Sequence, residues 1–251
     1  MRKWFFRVIL IIALLFLLCA GLIHYVFNQK KYPSAGQPVN EYWIHRGLYD
    51  NKIVFENTIA AFDSARNINI TGIEMDIFYI DSINDFVVTH DVPNKFSLPA
   101  LLLSEVVNRY DTTFSYWLDL KNLTYENKEL ITARLLNILG KDLKQKAFIE
   151  SANAAPLGYL AENGFNTIYW IQYDRKNFIK KFYKSTMIKW NFIQYKFAGA
   201  TIAASMADED FFEAFKPVPK YIFHIYTPEL YNKIKNQPNI AVYLMDYIPA
   251  E

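Results

Sequence analysis

Four short clusters in this chain combine residue types that do chemistry: His45-Arg46-Gly47, Glu74-Met75-Asp76, His90-Asp91 and Asp119-Leu120-Lys121. Residues i and i+2 of a strand point to the same face. Glu74 and Asp76 would therefore project together from an otherwise apolar segment. Two like charges buried side by side are costly unless a cation neutralises them. Oxygen ligands suit a hard divalent ion, Mg²⁺ or Ca²⁺. Asp119 and Lys121 repeat the spacing, with Asp119 as a third possible ligand and Lys121 able to meet an anion on the same ion. Taken singly, each pair could equally be an ordinary strand-end ion pair. With His45 and His90 added, the set becomes a phosphodiester-cleaving arrangement. One imidazole takes a proton from the nucleophile and the other gives one to the leaving alkoxide. Arg46 could hold the phosphate bidentately.

Strand and helix signals alternate along residues 41–251. Strand-like segments fall at 42–44, 72–78, 86–89, 114–120, 146–150, 166–171, 200–204, 221–225 and 240–245. Helical segments at 56–67, 98–107, 127–139, 154–163, 209–215 and 229–235 separate most of them. About eight strands alternating with helices imply a parallel sheet with right-handed crossovers. The roughly 210 residues available suit a compact TIM (β/α)₈ barrel, which places its site at the strand C-termini. All four clusters fall at or just after a strand end. An open doubly wound sheet is the alternative. No Gly-x-Gly-x-x-Gly or Walker A sequence supports its nucleotide-binding versions.

Residues 45–91, HRGLYDNKIVFENTIAAFDSARNINITGIEMDIFYIDSINDFVVTHD, closely resemble the opening of the glycerophosphodiester phosphodiesterase family. HRG, ENT-x-x-AF, G-x-E-x-D and HD occur in order and at suitable spacing. YWLDLKN (116–122) resembles the family's third-strand motif, and AVYLMDYIP (241–249) its last strand. The resemblance implies a TIM barrel with His45 and His90 as acid and base. It implies Glu74, Asp76 and Asp119 as metal ligands and Arg46 and Lys121 as phosphate contacts. Glu56 of ENT would support Arg46 or the metal, while Asn57 and Thr58 cap the first helix. The family's third ligand is usually Glu, so Asp119 would draw the ion closer to its strand. Asp-x-Lys at this point is also reminiscent of the sphingomyelinase D-like phospholipases, which lack HRG and ENT. Glu150 and His224 are further candidates for the pocket wall.

The remaining features concern placement. Residues 8–27, VILIIALLFLLCAGLIHYVF, hold no formal charge and span about 30 Å as a helix. Arg2, Lys3 and Arg7 precede them. A retained anchor is expected, with a cytoplasmic N-terminus and an exported barrel, periplasmic or extracellular. A cleaved signal peptide is the competing reading, though Leu18-Cys19-Ala20 makes a poor cleavage or lipidation site. The expected organisation is an anchor at 1–28, a linker at 29–40 and the barrel at 41–251. The net charge of +2 comes entirely from the N-terminus. The rest is mildly acidic and offers nothing to nucleic acid. A single Cys excludes a disulfide framework and a Cys-based zinc site. Residues 173–197 mix basic and aromatic residues, which suits either a solvated barrel helix with a core stripe or a membrane-facing surface. Three activities fit: a metal-dependent glycerophosphodiester phosphodiesterase, a phospholipase D-like enzyme acting on lysophospholipid or sphingolipid at a bilayer, and a non-catalytic binder of phosphate ligands. The partners expected are a small or lipid-derived phosphodiester and the membrane.

Overall fold

A computed structural model describes residues 2–32, 37–93, 100–172 and 177–247. In chain order the elements are α1 (Arg2–Gln29), β1 (Glu41–Ile44), α2 (Ile59–Asn67), β2 (Gly72–Ile80), β3 (Asp85–Val88) and α3 (Leu103–Tyr110). There follow β4 (Ser115–Leu120), α4 (Lys128–Lys144), β5 (Ala147–Ser151), α5 (Ala154–Glu162), β6 (Asn166–Trp170) and α6 (Phe178–Gln194). The chain continues through β7 (Gly199–Ala203), α7 (Glu209–Ala214), β8 (Lys220–Ile225), α8 (Pro228–Ile234) and β9 (Ile240–Met245). Eight of the strands pair in parallel, and β1 pairs with both β9 and β2, closing a TIM barrel. The ninth corrects the all-parallel expectation. β3 returns antiparallel along the end of β2, pairing Ile80 with Asp85 and Ile77 with Val88. Asn84, with φ 44°, supplies the left-handed turn between them. The hairpin rises above the barrel and descends again. Its last link, Thr89 N–H to the carbonyl of Asp76, brings His90 back to the level of the acidic strand ends.

The barrel interior is built from alternate residues of its strands. Trp43, Trp117, Phe148 and Tyr221 are buried there and pack edge to face or tilted. Two residues further along their strands, Trp117 gives way to Asp119 and Phe148 to Glu150. The register sets Asp76 beside Asp119 and Asp119 beside Glu150. An aromatic floor therefore underlies a layer of carboxyl groups at the mouth. A second, larger core lies between the outer strand faces and the helices.

Helix α1 lies along α6. Phe16 and His24 both pack on Phe182, His24 Nε2 is 3.2 Å from Thr186 Oγ1, and Phe27 packs on Phe192 and Phe215. Lys30 donates to the carbonyls of Phe192 and Tyr195 (the latter at 3.1 Å), serving free acceptors at the end of α6. The basic-aromatic stretch 173–197 thus contributes the barrel's fifth helix. Residues 173–176 of it lie outside the described residues. The span Trp4–Gln29 is, among the described residues, the one helix long and apolar enough to cross a membrane. Most of it is exposed, but Ala20 and Phe27 are buried.

Candidate active site

The HRG turn at the end of β1 fixes the first part of the site. Arg46 has a left-handed backbone, φ 55°, and Gly47 follows at φ 79°. A Cβ on Gly47 would lie 2.7 Å from that of Ala61, so only glycine lets the turn sit on α2. The turn aims the backbone N–H of Arg46 at Glu74 Oε2, 3.0 Å away. The Arg46 side chain contacts Glu56 Oε1 at 2.9 Å and Asp76 Oδ2 at 2.8 Å. Glu56 therefore meets Arg46 rather than the acidic cluster. Thr58 caps α2, accepting from Ala61 N–H at 3.2 Å. Asn57 does not share that duty. It is buried with φ 56°, donates to Asp76 Oδ2 at 2.9 Å and accepts from the backbone N–H of Asp76 at 3.3 Å.

His45 is buried between two carboxyl groups. Its Nδ1 is 2.6 Å from Asp246 Oδ1, and its Nε2 is 3.7 Å from Glu74 Oε2. Sequence reasoning missed Asp246, which directly follows β9. The signal was available in the last-strand motif around it, without a role attached. His90 is half exposed, with Nδ1 3.0 Å from Asp91. His45, Arg46, Glu74, Asp76, His90, Asp119, Lys121, Glu150 and His224 all line one cavity of about 140 Å³ at the barrel mouth. Trp170, Phe223 and Leu244 complete its apolar wall, and none of the three stood out in the sequence. A larger cleft of about 500 Å³ lies at the opposite end, between residues 37–40 and 235–241. Among the described residues, its lining contains no carboxylate or imidazole.

His224 sits at a bulge in β8 with φ 56°, where the register against β9 shifts. Such a bulge re-aims a side chain. Here it sets the His224 ring edge to face with His45, centroids 5.5 Å apart. Burial, and then His45 beside it, lower the His224 pKa. Glu150 accepts from Trp117 Nε1 at 2.6 Å and from Thr201 Oγ1. Burial, helped by Asp119, pushes its carboxyl up to about 8. At neutral pH it is mainly a neutral acid beside the charged cluster.

Ligand oxygens of Glu74, Asp76 and Asp119 lie within 4.8 Å of one another. Burial, reinforced by Asp76 and Asp119, pushes the Glu74 carboxyl well above the usual range. Burial likewise raises Asp119, despite Lys121. Asp76 is buried too, but Lys121 and Arg46, with the Asn57 amide, hold it below the usual range. Lys121 Nζ is 2.7 Å from Asp76 Oδ1 and also pairs with Asp119. Asp76 Oδ1 against Lys121, and Arg46 Nε against Asp76 Oδ2, are ion-pair contacts without hydrogen-bond alignment. Three converging carboxylates, one with a buried and poorly satisfied oxygen, fit a hard divalent cation.

No protein-family model matches the chain, and a search of curated proteins finds no match. Solved structures do match. A phosphodiesterase from Oleispira antarctica, in complex with the product sn-glycerol-3-phosphate, superposes with a TM-score of 0.62 at 17% identity. The match covers 89% of this chain and 95% of that one. A glycerophosphodiester phosphodiesterase from Parabacteroides distasonis gives 0.63 at 14% identity, over 84% and 94%. A calcium-dependent phosphoinositol-specific phospholipase C from a Pseudomonas species gives 0.54 at 11%, over 85% and 91%. The chain has the barrel fold shared by these phosphodiester-cleaving enzymes.

Proposed function

We propose that this protein is a divalent-cation-dependent phosphoric diester hydrolase of the glycerophosphodiester phosphodiesterase type. It would cleave glycerophosphodiesters into an alcohol and glycerol phosphate. The observation that carries this reading is the convergence of His45 and His90, the carboxyl groups of Glu74, Asp76 and Asp119, and the cations Arg46 and Lys121 on one cavity at the mouth of a phosphodiesterase-type barrel. A non-catalytic binder would have no use for the paired acid and base. Glu74, Asp76 and Asp119 would hold the cation, Mg²⁺ or Ca²⁺. When bound, it supplies Lewis-acid polarisation of the phosphoryl group.

The chain's own residues do the rest. Arg46 and Lys121 bind the non-bridging phosphate oxygens and set the phosphorus in line with the leaving oxygen. Glu56 keeps the Arg46 fork in place. Asp246 holds His45 through Nδ1, which leaves Nε2 facing the cavity for proton transfer. His45 and His90 act as a pair. One takes the proton from water, or from a neighbouring substrate hydroxyl whose cyclic phosphate a water then opens, as the new P–O bond forms. The other gives a proton to the alkoxide as the old P–O bond breaks. Trp170, Phe223 and Leu244 limit water around the reacting phosphate.

The anchor reading joins this one. α1 would be retained in the membrane, with Arg2, Lys3 and Arg7 on the cytoplasmic side and the barrel exported. A panel of glycerophosphodiesters, assayed with Mg²⁺, Ca²⁺ or chelator, tests the reaction. Hydrolysis is expected with a divalent cation and is lost with EDTA or His45→Ala. Turnover that survives both would sink the mechanism.

A further inference from the structure

The docking of α1 fixes which end of the barrel meets the membrane. The contacts between α1 and α6 advance together along both helices: Phe16 and His24 with Phe182, His24 with Thr186, Phe27 with Phe192, Lys30 with Tyr195. The hydrogen-bonded pairs keep a nearly constant separation of 162 to 165 residues. The two helices are therefore parallel and in fixed register. α6 follows β6, so it starts at the mouth and runs toward the opposite end. α1 consequently ends at the opposite end, where β1 begins, and its N-terminal half projects past the mouth.

The first turn of α6 is level with Phe16. Arg2 to Leu15 extends beyond it, about 21 Å of helix. A hydrocarbon core of about 30 Å needs roughly 20 residues, and counted from Trp4 these reach Ile23, level with Ser185. The roughly 21 Å of helix free of the barrel is about 9 Å short of that core. The bilayer, thinned beside the barrel, must therefore come down onto the mouth, and the rim lies at the boundary between headgroups and hydrocarbon.

The rim is built for that depth. Ile53 and Phe55 lie on the β1–α2 loop, Tyr226 on the β8–α8 loop, and Phe178 and Ile179 on the first turn of α6. All five are exposed, Ile53 at 85% and Phe178 at 82%. They come from different segments, so no common core stripe accounts for them. Apolar side chains grouped on one face of a molecule mark an interaction surface. Lys52, Lys180 and Lys184 are exposed among them, but so are Asp50 and Asp91. Apolar contact and the helix, not net charge, thus hold the face in place.

We propose that the mouth of the barrel docks on the bilayer that α1 spans, and that the site takes its phosphodiester from lipid in that bilayer. The reaction rests on the reading given above. The docking rests only on the anchor reading. A glycerophosphodiester still carrying an acyl chain, a lysophospholipid, presents its phosphate at the depth where the rim sits. The cavity then opens onto the headgroup layer.

The full chain in phosphatidylcholine nanodiscs tests both parts. In a Cys19→Ser background, fluorophores are placed by Ile53→Cys and Tyr226→Cys at the mouth, and by Val39→Cys and Ile68→Cys at the opposite end. Nitroxide-headgroup lipid should quench the mouth pair at least threefold more than the other pair. Equal or reversed quenching overturns the orientation. This readout needs no turnover, so a protein that cleaves no diester refutes the reaction while the quenching still decides the docking. For the lipid supply, Phe178→Ser with Ile179→Ser should slow cleavage of lysophosphatidylcholine in the nanodisc at least fivefold. Soluble glycerophosphocholine should be cleaved within twofold of the unaltered rate. Unchanged lysolipid cleavage, or an equal fall on both substrates, would refute it.

Discussion

Asp246→Asn separates a positioning carboxylate from a bystander. Asp246 Oδ1 lies 2.6 Å from His45 Nδ1, and both side chains are largely buried. Among the described residues, no other hydrogen bond fixes that end of the imidazole. An aspartate there favours the proton on Nδ1 and stabilises the ring when Nε2 also gains one. Hydrogen bonds to charged groups contribute about 1.5–3 kcal/mol, and general acid–base catalysis supplies about 10²–10⁴-fold in rate. An asparagine amide can donate to Nδ1 and turn the proton to Nε2, the nitrogen that must be free to accept one. The substitution should therefore lower kcat about 10²-fold or more, with KM changed less than threefold, since no contact to phosphate is lost. The assay is steady-state hydrolysis of a soluble glycerophosphodiester with saturating divalent cation. A double-mutant cycle with His45→Gln sharpens it. If Asp246 acts through His45, the double variant is no slower than His45→Gln alone. A kcat within threefold of the parent, or additive losses in the cycle, would refute the role given to Asp246.

Three further outcomes follow from burial and charge. Lys220 is fully buried, donates among the described residues only to the Lys216 carbonyl at 3.2 Å, and burial lowers its pKa to about 8. Its folded value lies below the unfolded one, so the cost is full below pH 8 and vanishes above about 10.5. Lys220→Met should raise the unfolding free energy at pH 7 by about 1–3 kcal/mol and remove the gain in thermal stability between pH 8 and 10.5; an unchanged profile contradicts this. Burial holds the Glu150 carboxyl at about 8 in the folded protein, above its ordinary 4.5. Its contribution is fully present below pH 4.5 and is lost as pH rises through 8, so Glu150→Gln should be no more stable than the parent at pH 4.5 and about 2–4 kcal/mol more stable at pH 8 and above, measured by thermal unfolding at both pH values. Arg46 and Lys121 are occupied by Asp76, Asp119 and Glu56. Glycerol phosphate should therefore bind at least tenfold more tightly by calorimetry with Ca²⁺ or Mg²⁺ than with chelator, and equal affinities would exclude the exchange of partners.

The sequence made the site legible where side chains are set by strand periodicity. Glu74 with Asp76, and Asp119 with Lys121, face one way because i and i+2 must, and the register then lines Asp76 up with Asp119. What it hid depends on backbone conformation. Asn57 looked like a helix-capping residue, yet a positive φ turns it from α2 to Asp76. The turn at Asn84 before His90 was legible, but not that the strand it opens returns antiparallel along β2 as a hairpin. Asp246 was hidden by distance, since its partner lies 201 residues away. The contact of α1 with α6 was likewise out of reach. A hydrophobic run reads as a span by composition alone, and nothing in its pattern names the helix beside it.

The acidic layer and the aromatic floor beneath it act on one another. Carboxylates resting on Trp117 and Phe148 lose solvation on one side, which is why Glu74, Asp119 and Glu150 are all pushed up. Arg46 and Lys121 offset part of that cost but not all, because they are two against three converging acids and one of them must serve Glu56 as well. A divalent cation held there would complete the neutralisation and free both side chains for the cavity, where a phosphodiester carries the matching charge. The low dielectric that makes the unliganded cluster expensive also strengthens each contact to the phosphate once it arrives. A mouth pressed against a bilayer would deepen the effect by thinning the water above the cavity. A retained anchor and the acidic layer would then be parts of one device, each making the other's contribution larger.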